Sequence, residues 1–125
     1  MLARKVSLVG YERGRIIQIK QDLYAFYGYS LTRYSDLNLV SGANIKSQSA
    51  TPLTKRYSGY AISTFAEEFI FVSGGANSRG YLKSVEYFSV RSKKWAIAPA
   101  MNETRCQHSQ CALGDSLFAF FGWKN

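Results

Sequence analysis

Short apolar runs, each followed by a glycine, recur along the chain at nearly equal distances. The three runs occupy residues 23–27, 69–73 and 117–121. The glycines that follow them are Gly28, Gly74 and Gly122, which lie 46 and 48 residues apart. Turn residues recur between the runs, and no stretch keeps a helical period of apolar positions. The pattern predicts an all-β chain in which one small sheet is repeated.

The middle unit shows the repeated sheet most completely. Its predicted strands are Tyr57–Phe65, Phe69–Ser73, Lys83–Ser89 and Trp95–Ala98. The second is a nearly continuous apolar run, which predicts burial on both faces, and Gly74-Gly75 is expected to end it. Four antiparallel strands joined by short turns, at a period of about 40 to 50 residues, form the blade of a β-propeller.

The neighbouring units are less complete. The first is expected to place strands at 15–20, 23–27 and 34–40, with Lys46 where the middle unit has Trp95. The last contains two predicted strands. We therefore divide the chain into a degenerate first blade with an N-terminal strand, a complete blade and the first half of a third, at residues 1–54, 55–104 and 105–125. The expected fold is an incomplete β-propeller of four-stranded antiparallel blades.

Several positions of the middle unit resemble the kelch repeat. They are the Gly74-Gly75 pair, Val85-Glu86 beside an aromatic residue, Phe88 seven residues before Trp95, Pro99-x-Met101, and Arg105-x-x-His108. The resemblance implies that the glycine pair ends the second strand. It also implies that Phe88, at a position where the family has tyrosine, packs with Trp95 inside the blade. The outer units depart from the pattern, with Gly28-Tyr29 and Gly122-Trp123 in place of the glycine pair.

Eight residues are predicted to be structural positions of the repeat. Two of them, Arg56 and Arg105, lie 49 residues apart and enter their units at the same phase. We expect them to bond to backbone carbonyls or acidic side chains of the adjacent blade. The full set is Arg56, Gly74, Gly75, Phe88, Trp95, Arg105, Gly28 and Gly122.

The residues do not predict a catalytic, cofactor or metal site. His108 is the one histidine, and on a strand it would share a face with Cys106 but not with Cys111. Structural zinc almost always takes four ligands. No nucleophile with a base and an orienting group is evident, and the adjacent Glu67 and Glu68 would point to opposite faces. Both cysteines are expected to be free thiols.

The net charge of +8 is large for 125 residues but is spread along the chain. No block of like charges indicates a nucleic-acid arm. The charge is read either as solvated basic turns or as a basic rim that attracts acidic partners. No apolar run approaches the roughly 18–20 residues that span a bilayer, and the N-terminal apolar run is too short for a leader. A cytoplasmic location is expected by default.

The predicted function is protein–protein interaction through loops between strands, without catalysis. Candidate loop residues are Ser30, Arg33, Asn77, Arg79 and Tyr81. The partner is an unidentified protein, with no nucleic acid or membrane involved. The resemblance also implies a substrate-receptor role in a ubiquitin-ligase adaptor, or a remnant of a propeller enzyme of the galactose-oxidase or sialate-mutarotase type. Because an open array exposes strand edges, we expect a fragment of a longer protein or a chain that completes its ring by association.

Overall fold

The computed structural model describes residues 14–35 and 48–124, and the regular elements in this part of the chain are all strands. The first sheet contains β1 (Arg15–Ile19), β2 (Asp22–Phe26), β3 (Leu31–Tyr34) and β4 (Gln48–Ala50). The second contains β5 (Ser58–Phe65), β6 (Phe69–Asn77), β7 (Gly80–Tyr81), β8 (Val85–Ser89) and β9 (Lys94–Ala98). The third contains β10 (Ser109–Leu113) and β11 (Ser116–Phe120). Within these residues there is no helix long and apolar enough to cross a bilayer.

Each sheet is antiparallel, and its strands follow one another in chain order. The orders are β1-β2-β3-β4, then β5-β6-β8-β9 with β7 added beside β6, then β10-β11. The sheets stack as open, unclosed blades, so the predicted all-β incomplete propeller is confirmed. The predicted turn between Phe65 and Phe69 is also confirmed, and Ala66 and Glu67 both take positive φ there.

The main core lies between the first and second sheets. Along β6 the side chains alternate, so that Ile70 and Val72 are fully buried toward the first sheet. The other core members are Ile19, Tyr24, Phe26, Leu31, Tyr60 and Phe88. Trp95 packs at the edge of this core, with its ring 5.4 Å from that of Phe88 and 5.7 Å from that of Phe26. The predicted packing of Phe88 with Trp95 inside the blade is present. Because Trp95 also packs on Phe26 of the first sheet, the pair joins two blades.

The contact between the second and third sheets is more polar. The opposite face of β6 presents Phe71 and Ser73 to the third sheet, and the Ser73 hydroxyl meets His108 and Gln110. Gln110 in turn donates to Ser63 Oγ and to the carbonyl of Phe71, each at 2.9 Å. The third sheet is therefore positioned by hydrogen bonds as well as by apolar contact.

The strand pairing changes the alignment of the three units. The hairpins close at Ile19–Asp22, Phe65–Phe69 and Leu113–Ser116, which makes these pairs equivalent. Gly75 then corresponds to Gly28 and Gly122, at a regular period of 47 residues. Their φ angles agree, at 91°, 90° and 86°. The predicted match of Gly74 with Gly28 and Gly122 was wrong by one residue, because Gly74 instead corresponds to Tyr27 and Phe121.

The second strand of the middle unit does not end at the glycine pair. It runs through Gly74 and Gly75 to Asn77, and Ala76 and Asn77 then pair with Tyr81 and Gly80 to form a hairpin. Of the candidate loop residues predicted here, Asn77 and Tyr81 are therefore on strands, and Arg79 lies in the turn between them. Backbone pairing at the end of β6 outweighs the tendency of glycine to interrupt a strand.

This hairpin also explains why the third strand of the first unit begins earlier than predicted. Eleven residues separate Ser73 from Val85, whereas four separate Phe26 from Leu31. The strand accordingly spans Leu31–Tyr34 instead of 34–40, and residues 36–40 lie outside the described part. Tyr34 pairs with Leu23 as Phe88 pairs with Ile70, so the first unit has the tyrosine of the aromatic pair.

The position of the missing tryptophan shifts as well. Ala50 pairs with Leu31 as Ala98 pairs with Val85. Counting back three residues from Ala50 makes residue 47 the counterpart of Trp95, one position from the predicted Lys46. Both residues 46 and 47 lie outside the described ranges.

Candidate interaction surface

Backbone hydrogen bonds gather the loops after β2, β6 and β11 with the linkers that precede β5 and β10. Arg56 N donates to Gly28 O and Tyr57 N donates to Ala76 O, both at 2.8 Å. Cys106 exchanges two such bonds with Trp123, at 2.7 and 3.0 Å. We call the exposed residues of these segments the loop face: Tyr29, Lys55, Tyr57, Arg79, Phe121 and Trp123.

The loop face combines large apolar side chains with cations. Tyr29 and Tyr57 are about half exposed, whereas Phe121 and Trp123 are 80% and 64% exposed. The cations are Lys55 and Arg79, with Lys124 next to Trp123. Aromatic residues and arginine are enriched at protein interfaces, so the composition suits contact with a partner protein.

Asn77 fixes the hairpin of the middle unit to the loop face. Its side-chain amide donates to Lys55 O at 3.0 Å, and its Oδ1 accepts from Arg79 N at 2.9 Å. Arg79 is left exposed at the tip, while Tyr81 lies half-buried on β7 opposite Ala76. Of the three residues predicted here, Arg79 reaches solvent most freely and Asn77 acts as its support.

The predicted loop residues of the first unit are placed differently. Ser30 is half-buried in the turn, where its carbonyl accepts from Tyr27 N at 3.1 Å. Arg33 lies on β3, and its guanidinium bonds to Asp22 Oδ2 at 2.8 Å. The assignment of Arg33 to a loop was wrong, because the third strand starts at Leu31. The exposed residue of this turn is Tyr29.

Gly28 permits the close approach of the first sheet to the Arg56 linker. A Cβ at this position would overlap the carbonyl oxygen of Arg56, and the φ of 90° disfavours any other residue. The contact places Tyr29 beside the start of the second unit. Gly28 therefore occupies a position that a residue with a side chain could not take without moving the Arg56 linker.

Arg56 lies beneath the loop face and is the most deeply buried charged residue in the described part of the chain. Its Nη1 donates to Gly74 O at 2.6 Å, and its Nη2 donates to Ser84 Oγ at 3.1 Å. Glu86 Oε2 lies 3.8 Å from Nη2 and accepts from Thr54 N at 3.1 Å. Both side chains are at least 98% buried. Arg56 thus binds its own blade through its side chain and the preceding blade through its main chain.

Burial shifts the pKa values of this pair in opposite directions. Desolvation lowers the pKa of Arg56 against the opposing effect of Glu86. Desolvation raises the pKa of Glu86, although Arg56 and the Thr54 amide oppose the shift. Among the described residues, Arg56 Nε and Glu86 Oε1 have no hydrogen-bond partner. The Arg56–Glu86 pair holds the linker before β5 in place, although both charged groups lose their contact with water.

Arg105 repeats the arrangement in the third unit with a different acid. Its Nη1 donates to Phe121 O at 2.8 Å, and its Nη2 bonds to Glu103 Oε1 at 3.1 Å. Its own carbonyl accepts from Gly75 N at 2.8 Å, which joins it to the preceding blade. The Arg56 side chain therefore bonds within its own unit, whereas the Arg105 side chain bonds to Phe121 O of its own unit and to Glu103 at the end of the preceding one.

His108 is buried in a hydrogen-bond network that does not suit catalysis. Ser73 Oγ donates to Gln110 Oε1, so the contact between Ser73 Oγ and His108 Nε2 at 2.7 Å requires the imidazole to donate. A base that donates to serine cannot accept its proton. Burial, with Arg105 and Arg56 nearby, lowers the pKa of His108 to about 4. Ser73 is 1% exposed and out of reach of a substrate.

The described residues contain no group of three metal-ligating side chains. Cys106 is buried and Cys111 exposed, and both are free thiols. Burial raises the pKa of the Cys106 thiol, which disfavours the reactive thiolate. In the described part of the chain, the loop face brings together exposed aromatic and basic side chains.

Comparison with known proteins agrees with this arrangement. Residues 70–102 match the model of the Kelch motif. The middle unit of the chain therefore carries a kelch motif. It also superposes on a solved structure titled "Structure of YjhT" with a TM-score of 0.69 and 14% identity, covering 89% of this chain and 33% of that one. The chain spans about a third of that neighbour's length, and the likeness concerns the fold alone. No curated protein matches the sequence.

Several residues of the loop face and its support were not predicted from sequence. From sequence, Tyr29 and Trp123 are departures from the glycine pair and Phe121 is the last residue of an apolar run, and none of these patterns shows that the three side chains are exposed. Glu86 was noted only as part of a motif. Its role as the partner of Arg56 depends on a contact across 30 residues of sequence, which no local pattern reveals.

Proposed function

We propose that the chain is a protein-interaction module that binds an acidic partner protein through the loop face. One observation carries the proposal. Phe121 is 80% exposed and has a φ of 64°, where the equivalent residue of the middle unit is Gly74. A strained, exposed aromatic residue costs stability and gains nothing from the core, which suggests a role in contact with another molecule.

The other residues of the loop face support this reading. Trp123, Tyr57 and Tyr29 add apolar contact area at low conformational cost. Lys55, Arg79 and the net charge of +8 would speed the encounter with an acidic surface and make the association rate sensitive to salt. The kelch-type fold is typically a binding module, and we propose the same here without catalysis.

The first step of the test is site-specific cross-linking. A photoreactive phenylalanine replaces Phe121 in one sample and Leu113 in a matched control. Leu113 is 72% exposed and lies at the far end of β10, away from the loop face. We expect position 121 to capture a protein that position 113 does not.

The second step uses the purified captured protein. Tyr57→Ser and Trp123→Ser should each weaken binding at least tenfold, equivalent to about 1.4 kcal/mol, while Leu113→Ser leaves it unchanged. Equal capture at the two positions, or binding indifferent to the loop-face variants, would contradict the proposal. Turnover of a sugar substrate by the purified chain would favour the enzyme-remnant alternative instead.

We also propose a cytoplasmic location, where both free thiols would stay reduced. Fractionation of cells that express a tagged full-length protein checks this. A role as an adaptor, including substrate reception in a ubiquitin-ligase complex, would require a second binding surface in addition to the loop face.

A further inference from the structure

A cavity of about 260 Å³ lies between the first and second sheets. Its apolar lining residues are Leu31, Ala50, Phe88 and Val90. Its polar lining residues are Tyr24, Arg33 and Lys93. A mostly apolar concave site with a few convergent polar groups is typical of small-molecule binding. Because an apolar cavity of about 150 Å³ is enough for benzene, this one has room for a ring together with a polar substituent.

The polar side of the cavity replaces an aromatic cluster of the second sheet. Three positions on β2 and β3 are equivalent, by strand pairing, to three on β6 and β8. The pairs are Asp22 with Phe69, Tyr24 with Phe71, and Arg33 with Tyr87. In the second sheet the Tyr87 ring lies 5.7 Å from that of Phe69 and 5.1 Å from that of Phe71. Since the blade accepts an apolar cluster at these positions, the polar set of the first sheet indicates a ligand.

Arg33 keeps a donor for such a ligand. Its Nε and Nη2 both bond to the same oxygen of Asp22, Oδ2, at 2.8 Å. No hydrogen bond among the described residues engages its Nη1. The Tyr24 hydroxyl lies close to this pair, and burial raises the pKa of Tyr24 against the charge of Arg33. The hydroxyl therefore remains protonated at neutral pH and is a second donor.

Lys93 adds an exposed cation to the lining. It belongs to the turn between β8 and β9, where its main-chain N–H donates to Ser89 O at 2.7 Å. Its ammonium forms no ion pair within the described ranges. Together with Arg33 and Asp22 it leaves the site with a single net positive charge, which one anionic group balances through charge-assisted hydrogen bonds.

The apolar lining suits a flat ring. The rings of Tyr24 and Phe88 lie 6.4 Å apart and are inclined at 56°, and aromatic groups pair favourably in such tilted arrangements. Leu31 is buried beside them, so a ring seated on this surface would be removed from water.

We propose that the cavity between the first and second sheets binds a small aromatic carboxylate. The ring lies against Leu31, Ala50 and Phe88, and the carboxylate bonds to Arg33 and Lys93. The net charge of +8 favours an anion over a neutral compound. The turn that carries Lys93 is at the opposite end of the second sheet from the loop after β6, so this site is separate from the loop face.

The probe for the test is cinnamate, with cinnamamide as a neutral compound of the same shape. We expect saturable one-to-one binding of cinnamate to the full chain by isothermal titration calorimetry. Cinnamamide, which lacks the charge, and hexanoate, which lacks the ring, should each bind at least fivefold more weakly. Cinnamate should also raise the midpoint of thermal unfolding, because a ligand of the folded state stabilises it.

Variants of the chain test the location of the site. Lys93→Gln should weaken cinnamate binding at least fivefold, whereas Lys94→Gln, the same change of charge at the adjacent exposed residue, should leave it unchanged. Ala50→Leu fills part of the cavity and should abolish binding, with circular dichroism as the check on folding. The loop-face variant Tyr57→Ser should bind cinnamate normally, which separates this site from the proposed function.

Any one of three results would overturn the inference. The first is equal binding of cinnamate and cinnamamide. The second is an equal effect of Lys93→Gln and Lys94→Gln, which would assign binding to the overall charge. The third is a folded chain that shows no saturable binding at millimolar cinnamate. Capture of a protein at position 121 would leave the proposed function standing in all three cases.

Discussion

The Arg56 guanidinium donates to the carbonyl of Gly74 at 2.6 Å, and Arg105 repeats this bond with Phe121 O at 2.8 Å. Each arginine belongs to the linker that enters a sheet, and each carbonyl belongs to the end of that sheet's second strand. The bond therefore fixes where the second and third blades each begin relative to where the loop after their second strand leaves. It persists although glycine in one unit is phenylalanine in the other, because only the backbone carbonyl takes part.

Removal of Arg56 should destabilise the protein strongly. Arg56→Met leaves Glu86 buried without its charge partner, so we expect a loss of about 3–5 kcal/mol in the free energy of unfolding. Urea denaturation followed by tryptophan fluorescence measures it. The double variant with Glu86→Gln should recover much of the loss, since glutamine is neutral and still accepts from Thr54 N. Arg79→Met, at an exposed site, is the matched control, and an equal loss there would argue against the buried pair.

Phe121→Gly should stabilise the chain. The residue has a φ of 64° and makes its one described ring contact with Phe120, at 6.1 Å. Glycine adopts this conformation freely, so we expect a gain of about 0.5–1 kcal/mol despite the greater entropy of the unfolded chain. Phe120→Gly, within β11, should instead lower stability. If both variants lower it equally, Phe121 is not strained.

The architecture could be predicted from sequence alone because the repeat is visible in local sequence patterns. Alternating and continuous apolar runs gave the strands of the middle unit to within a few residues, and the Phe88–Trp95 spacing placed their rings together. Position-by-position alignment of the units failed by one residue. Two adjacent glycines in the middle unit offered two alignments, and only the hairpin pairing distinguishes Gly75 from Gly74.

The interaction surface was harder to predict, for a physical reason. Asn77 was expected to face a partner, yet it supports Arg79 and bonds to Lys55 O. Arg33 was placed in a loop because the length of the hairpin between β6 and β8 was transferred to a unit that lacks it. Loop composition shows that a segment is polar, but which polar groups are consumed within the protein depends on contacts distant in sequence.

Two substitutions of Trp95 should separate the contribution of ring packing to stability from the effect of its unpaired N–H. Its ring contacts Phe88 and Phe26, and its Nε1 is buried with no described partner. Trp95→Ala removes contacts that join two blades, so we expect a loss of about 3 kcal/mol, the lower end of the range for large aromatic residues because Trp95 is partly exposed. Trp95→Phe keeps most of the area and removes the unsatisfied N–H.

Trp95→Phe should therefore cost clearly less than Trp95→Ala, by calorimetric or urea unfolding. A phenylalanine variant as unstable as the alanine variant would show that the indole nitrogen has a partner in solution. It would also mean that the indole ring does not lie between Phe88 and Phe26 in solution.

Acidification should weaken the protein through His108. Its pKa is about 4 in the folded chain against an ordinary 6.5, because burial desolvates the imidazole and Arg105 and Arg56 lie nearby. Above pH 6.5 the residue is neutral in both states and contributes no pH dependence. Between pH 6.5 and 4 the unfolded chain binds a proton that the folded chain does not, so stability falls by up to about 3 kcal/mol. Below pH 4 the contribution stops changing.

The control for this titration must exclude the carboxylates that ionise in the same range. Glu86 has the opposite effect on the pH dependence of stability. Burial raises its pKa in the folded chain, so its contribution to the free energy of unfolding increases as the pH falls. His108→Gln keeps a donor for Ser73 and removes the titration. We expect urea midpoints of the parent and the variant to diverge steadily from pH 6.5 down to 4. Parallel curves over that interval would mean that His108 is solvated or protonated in the folded protein, and that the network joining the second and third sheets is not closed.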